Sequence, residues 1–278
     1  MRMMIALNYA IKELSNLSPA EKIDIYFGLD SFPVTRWEIK NRGLKRTDPD
    51  GGFCNGARTA GVLIKKEPTK TIKVKPAGFH EFEIYATDIK ALASASYFHP
   101  EFTVHFGDRI CFVQPDIFDI ALRYFIAEKN IAVCLDIDTS KTHINNKTIL
   151  GYDRHLDSVI TNNSNENLVK VHMTIYCLGE FNESNANKDT RILISNYRNH
   201  LNESWVKSYK YDYFLKVNKN NKIIGGFWYY IDGNNAHPDF IWIPYGKGDD
   251  DNPAHKDDKG NPYLKYEYIS VLLELENS

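Results

Sequence analysis

No two cysteines in this chain stand close enough to form a Cys-x-x-Cys pair. Cys54, Cys111, Cys134 and Cys177 are widely spaced, which argues against a zinc or iron–sulfur site. No apolar run approaches the roughly 18 residues that a bilayer-spanning helix requires. The segment from Met1 to Ile11 has one arginine and a short apolar stretch but no small-residue cleavage site, so it is not read as a signal peptide. An excess of charge of either sign is also missing. The 34 basic and 36 acidic residues leave a net charge of −2, which implies no global pull toward nucleic acid or an anionic membrane. Lys40, Arg42, Lys45 and Arg46 form a mild basic cluster, expected to be a solvated loop. The run Asp249-Asp250-Asp251 with His255, Asp257 and Asp258 lacks the ligand alternation and closing glutamate of a calcium loop. No metal or cofactor is therefore expected. There is no internal repeat and no linker long enough to divide the chain.

What is present is enough apolar material for a full core, in 278 residues that are 43% hydrophobic. Helices are expected first. Ser18-Pro19-Ala20-Glu21 carries a cap, a proline at the first helical position and a glutamate placed to close a capping box. Thr87 opens a helix running to about Tyr97, and a second long helix fits Pro115 to Glu128, where Phe118, Ala121, Leu122 and Phe125 recur at helical spacing. Short strands are expected over Thr71 to Val74, Phe79 to Ile84 and Ile131 to Ile137. The second half is mostly strand. Leu168 to Leu178 and Tyr209 to Val217 alternate apolar and polar residues, and Asn218-Lys219-Asn220-Asn221 makes a hairpin into Lys222 to Ile231. Asn162 to Asn167 and Phe181 to Lys188 read as polar loops, and His237 to Pro244 as an aromatic strand. One α+β domain over residues 1–278, with N-terminal helices followed by an antiparallel sheet, is the economical architecture.

The chemistry centres on Gly51-Gly52-Phe53-Cys54-Asn55-Gly56, which delivers a cysteine to the start of a helix containing Ala60, Val62 and Leu63. Amide groups at a helix N-terminus stabilise a thiolate, the reactive form of cysteine, and a core cysteine has no need of flanking glycines. Cys134 and Cys177 lie inside apolar runs and read as core residues. A cysteine nucleophile needs a base and a group that orients the base. His237 follows a hairpin, precedes a proline that restrains its backbone and adjoins an aromatic strand able to exclude water. Asp212 is the orienting carboxylate suggested by hairpin register, with Asp232 and Asp239 as rivals nearer in sequence.

These motifs fall in a recognisable order: Phe53-Cys54-Asn55-Gly56 with Ala60, Thr87 to Leu92, Ile149-Leu150-Gly151-Tyr152, Ile223 to Trp228, and His237-Pro238-Asp239-Phe240-Ile241-Trp242. The chain resembles the transglutaminase elicitor family from about Gly51 to Pro244, and His-Pro-Asp-Phe-x-Trp is the most specific segment. The resemblance implies a papain-like cysteine core, in a single transglutaminase-like domain, that joins a glutamine side chain to an amine. It implies Cys54 as nucleophile, His237 as acid–base and Asp212 as orienting carboxylate. The partners it implies are proteins with exposed glutamine and an amine or lysine acceptor, and it implies work outside the producing cell.

Three positions depart from the family pattern. Ala57 stands where a tryptophan is usual, Asp119 where relatives tend to have histidine, and Phe227 where they have glutamate. A glutamine deamidase or thiol protease would use the same triad. A member that kept the fold as a binding module would explain the departures, although it would not need both Cys54 and His237.

Overall fold

The fold was analysed in a computed structural model that describes residues 14, 16–42, 54–98, 100–108, 110–137, 145–163, 166–179, 190–229, 237–248 and 260–277. The chain divides into two compact units. One comprises Met1–Phe102, Asn182–Thr190 and Pro244–Ser278, and the other Thr103–Phe181 and Arg191–Ile243.

The first unit is helical. Helix α1 (Pro19–Tyr26) begins with the capping box anticipated from its sequence: Ser18 Oγ accepts from the Glu21 N–H at 3.3 Å, and Glu21 Oε2 accepts from the Ser18 N–H at 2.9 Å. Helix α2 (Pro33–Arg42) starts over Asp24, whose carboxylate accepts from the backbone N–H groups of Val34 and Thr35. Burial pushes the Asp24 carboxyl up from its ordinary value, against the pull of the Thr35 and Val34 hydrogen bonds. The basic cluster is corrected here. Lys40 and Arg42 lie on α2 rather than in a loop, and only Lys40 is solvated. The Arg42 guanidinium packs over the Trp37 and Phe98 rings at 4.9 and 5.3 Å, so its stem is buried against aromatic surface. Lys45 and Arg46 lie outside the described residues.

Helix α3 (Cys54–Leu63), the hairpin β1 (Ile72–Val74) and β2 (Phe82–Ile84), and helix α4 (Ala86–Ser96) follow. Ile23, Val34, Ala60, Ile84, Ile89 and Leu92 share one core with Ile269 and Leu272 of the C-terminal helix (Tyr266–Asn277). A buried ion pair, Lys22 Nζ to Asp88 Oδ2 at 2.6 Å, ties α1 to α4. Glu276 Oε1 accepts from the Thr69 and Lys70 N–H groups and ties down the far end of the C-terminal helix.

Most of the second unit is a seven-stranded sheet of order β3-β9-β4-β5-β6-β7-β8, whose β3 begins and whose β9 ends in residues of the first unit. Its strands are β3 (Pro100–Gly107), β4 (Cys134–Asp136), β5 (Asn146–Asn163), β6 (Glu166–Leu178), β7 (Val206–Asn218), β8 (Ile223–Trp228) and β9 (Phe240–Gly248). From β9 through β4 to β8 every neighbouring pair is antiparallel. Alternation decides which face is buried. Val171, Met173, Ile175 and Cys177 of β6 and Tyr211, Tyr213 and Leu215 of β7 point into the core, while the residues between them, on the other face, are half-buried or exposed. The β7–β8 turn is made by Asn218, whose Oδ1 accepts from the N–H groups of Asn220 and Lys222.

Several expectations needed adjustment. The loop expected over Asn162 to Asn167 is mostly strand, since β5 reaches Asn163 and β6 starts at Glu166. The helix expected over Pro115 to Glu128 is α-helical only in α5 (Pro115–Ala121) and widens to a π-helix over Leu122–Glu128. Strand β4 is shorter than its apolar run, and β9 begins at Phe240. Cys134 and Cys177 are buried, as read from their surroundings. The loop Phe181 to Lys188 lies outside the described residues. Among the described residues no helix is long and apolar enough to cross a membrane.

Candidate functional site

In the first unit, Cys54 is the first residue of α3 and its side chain is exposed. The two residues after it explain how it is held. Asn55 Nδ2 donates to the Phe98 carbonyl oxygen at 2.7 Å, which fastens the first turn of α3 to the end of α4. At Gly56 a Cβ would overlap the Ser94 carbonyl oxygen and press on the Phe98 Cα, so only glycine lets α3 lie this close to α4. Thr59 Oγ1 returns a hydrogen bond to the Asn55 carbonyl at 3.0 Å. Cys-Asn-Gly thus works as a presented thiol followed by two anchors. Ala57 is exposed on the same turn. The preceding Gly51-Gly52-Phe53 lies outside the described residues.

In the second unit, His237 is 9% exposed and enclosed by aromatic rings. Phe112 lies against its imidazole with ring centroids 4.2 Å apart, and Trp228 stands 6.1 Å away in a stacked orientation. Trp228 is itself fixed, since its Nε1 donates to the Val113 carbonyl at 3.0 Å. The segment carrying Phe112 and Val113 is held by the Val113 N–H, which donates to the Asp239 carbonyl at 2.9 Å, and by the close approach of Gly107. Gly107 has φ +81°, and a side chain there would strike both Val113 and Asp239. Nearby, burial pushes the His105 imidazole down from its ordinary value, and its ring lies 4.8 Å from that of Phe240.

The carboxylates sort themselves by distance. Asp239 Oδ1 lies 3.9 Å from His237 Nδ1, and Asp239 is buried. Asp212 pairs elsewhere: its Oδ1 meets His172 Nδ1 at 2.8 Å across the β6–β7 register, and His172 Nε2 lies 3.5 Å from Asp157 Oδ2. Asp232 lies outside the described residues. Asp136 on β4 escaped the sequence reading. It is fully buried one strand from β9, and its Oδ1 accepts from the Asn145 N–H at 2.7 Å. An aspartate in the middle of the apolar run Ile131 to Ile137 was the signal that could have flagged it.

Asp119 and Phe227 have visible roles. Asp119 is fully buried and accepts from Arg154 Nε at 2.6 Å and from Tyr213 Oη at 2.7 Å, so it anchors α5 to the sheet. Burial and this carboxylate together push the Tyr213 hydroxyl far up from its ordinary value. Phe227 is exposed and stacks on Phe214 with centroids 5.1 Å apart. Among the described residues no group of three or more His, Cys, Asp or Glu side chains is arranged to hold a metal ion. The acidic run from Asp249 to Asp258 lies outside them.

A family model described as Transglutaminase elicitor matches residues 49–277. No curated protein matches the chain. Among solved structures, the crystal structure of the GP42 transglutaminase from Phytophthora sojae is similar with a TM-score of 0.66. The two are 22% identical, and the match covers 92% of this chain and 81% of that one. The mixed helical and antiparallel-sheet architecture is therefore shared with that protein.

Proposed function

Because this chain belongs to the transglutaminase elicitor family, we propose that it is a cysteine acyltransferase, on a papain-like core, that passes the acyl group of a protein glutamine to an amine. The Cys54 thiolate attacks the carboxamide carbon of the glutamine. The C–N bond of the amide breaks, ammonia leaves with a proton supplied by His237, and a thioester remains. A lysine amine then attacks that thioester while His237 takes the amine's proton, which forms an isopeptide bond and releases the thiolate.

The observation that carries this reading is the placement of Cys54: exposed, at the N-terminus of a helix, and followed by two residues whose contacts fix that end of the helix. The aromatic enclosure of His237 by Phe112 and Trp228 supports the acid–base role, since rings packed on the imidazole hold it in place and limit water around it. Asp212 is engaged by His172, and Asp239 Oδ1 lies 3.9 Å from His237 Nδ1, which also meets the Pro238 carbonyl at 3.3 Å; in this reading we take Asp239, rather than Asp212, as the orienting carboxylate.

The test is mass spectrometry of the protein incubated with a glutamine-containing protein and a small primary amine, beside Cys54→Ala. Amine adducts that disappear in the variant are the expected result. A Cys54-dependent gain of about one dalton would mean that water resolves the thioester. No adduct and no labelling of Cys54 by an alkylating probe would overturn the enzymatic reading.

A further inference from the structure

Strand β8 ends the seven-stranded sheet, with β7 on one side. The Tyr229 N–H donates to the Asp212 carbonyl at 2.9 Å, which makes Asp212 and Tyr229 a hydrogen-bonded pair. Alternation along the ladder then makes Phe214 and Phe227 the next such pair, and turns the main-chain N–H and C=O of Gly226 and Trp228 away from β7. Among the described residues no strand pairs with that side. A row of alternating donors and acceptors is matched by another extended main chain.

The side chains beside this edge narrow the choice of occupant. Phe227 and Tyr229 are each 40% exposed. Phe214 packs between them, at 5.1 Å from Phe227 and 5.4 Å from Tyr229, so the three rings form a platform on the solvent face. Two lysines flank it: Lys170 Nζ lies 4.8 Å from the Tyr229 ring centroid, and Lys216 is exposed two residues beyond Phe214 on the same face. The carboxylate on this face nearest in sequence, Asp212, is engaged by His172. A strand added to β8 would lay every second side chain over rings and ammonium groups. The complement is aromatic and acidic.

The edge also leads to the chemistry. The indole of Trp228 is the wall beside the His237 ring, so the outward main chain of Trp228 and that wall belong to one residue. At the other end the register shifts between Lys216 and Val217, and this bulge closes the strip after a few residues. Resting on the transferase reading above, we infer that the outer edge of β8 receives the glutamine-bearing segment of the protein substrate as an added strand, and that it favours extended segments with acidic and aromatic side chains.

The probe is a synthetic peptide alternating glutamate and phenylalanine around one glutamine, with a twin in which alternate backbone amides are N-methylated. Binding is measured on isotope-labelled Cys54→Ser protein by amide chemical-shift titration. Shifts at Gly226 and Trp228 are expected, with affinity about ten-fold weaker or more for the N-methylated twin and for the double variant Lys170→Glu, Lys216→Glu. Equal binding of the twin, or shifts confined to other elements, overturns the inference. The two readings fail separately. Cys54-dependent amine transfer indifferent to N-methylation and to charge reversal removes the β8 edge and keeps the transferase, whereas β8 binding with no thioester in the unsubstituted protein keeps the edge and removes the transferase.

Discussion

Asp212 and His172 face each other across β6 and β7, Oδ1 to Nδ1 at 2.8 Å, on a part of the sheet open to solvent. The sequence leaves Asp212, Asp232 and Asp239 in competition as orienting carboxylate, and this pairing makes Asp212 and Asp239 the two to compare. Asp239→Asn is expected to lower kcat for amine transfer by about two orders of magnitude, the usual scale for disturbing a general base. Asp212→Asn should stay within about three-fold of the parent, because the partner it loses is a surface histidine. Steady-state kinetics on both variants, with matched melting temperatures, decide it. A severe loss confined to Asp212→Asn would return the orienting role to that residue.

Gly56→Ala places a methyl group onto the Ser94 carbonyl, which belongs to rigid helix backbone. Overpacking of this kind costs about 1–3 kcal/mol. The melting temperature should fall, and alkylation of Cys54 should slow or quicken as the first turn of α3 moves. Gly61→Ala is the control, since a Cβ there meets nothing within 4 Å and removes a helical glycine. It should leave stability equal or slightly raised.

Asp119→Ala removes one side of a buried charge pair and leaves Arg154 and Tyr213 without their acceptor. A loss of about 3–5 kcal/mol is expected. Tyr213→Phe removes a neutral donor only, and should cost about 1 kcal/mol. Denaturant unfolding of the two variants measures the difference.

Acid should destabilise the protein through two groups of known direction. His105 is held neutral by burial, so the unfolded chain binds its proton more readily; that contribution is intact above about pH 6.5 and is lost as pH falls below it. At Glu276 burial works to raise the carboxyl, but the Thr69 and Lys70 N–H donors outweigh it and hold the group below its ordinary value. Its contribution is present above the unfolded pKa and is lost on further acidification. His105→Gln should therefore flatten the melting curve against pH between about 7 and 5, and Glu276→Gln should flatten it at lower pH.

Much of this was legible because it is local. Ser18 and Glu21 write a capping box within four positions, Asn218 forms its own turn, and alternation in Leu168 to Leu178 states which residues of β6 face inward. Cys54 at the start of a helix was legible for the same reason. Helix α2 is not legible because it buries little apolar surface of its own, Val34 and Thr35, and is placed by contacts with other segments, Asp24 at its start and Phe98 under Arg42 at its end. Asp212 was read from hairpin register, but register says which residues are neighbours and not which histidine a carboxylate turns to. The Phe112 wall on His237 depends on Gly107 and on the Val113–Asp239 hydrogen bond, which join two segments far apart in sequence.

The indole of Trp228 touches two worlds at once. Its ring meets Phe118, Tyr211 and Tyr213 in the core at 5.4 to 6.0 Å, and His237 at 6.1 Å. The aromatic shelter around His237 is thus inherited from the core rather than made locally. A cavity behind the indole, such as Phe118→Ala would leave, should let water compete with the amine for the thioester while Cys54 and His237 stay intact. The ratio of deamidated to cross-linked product would then report, from outside, how tightly the interior of this unit is packed.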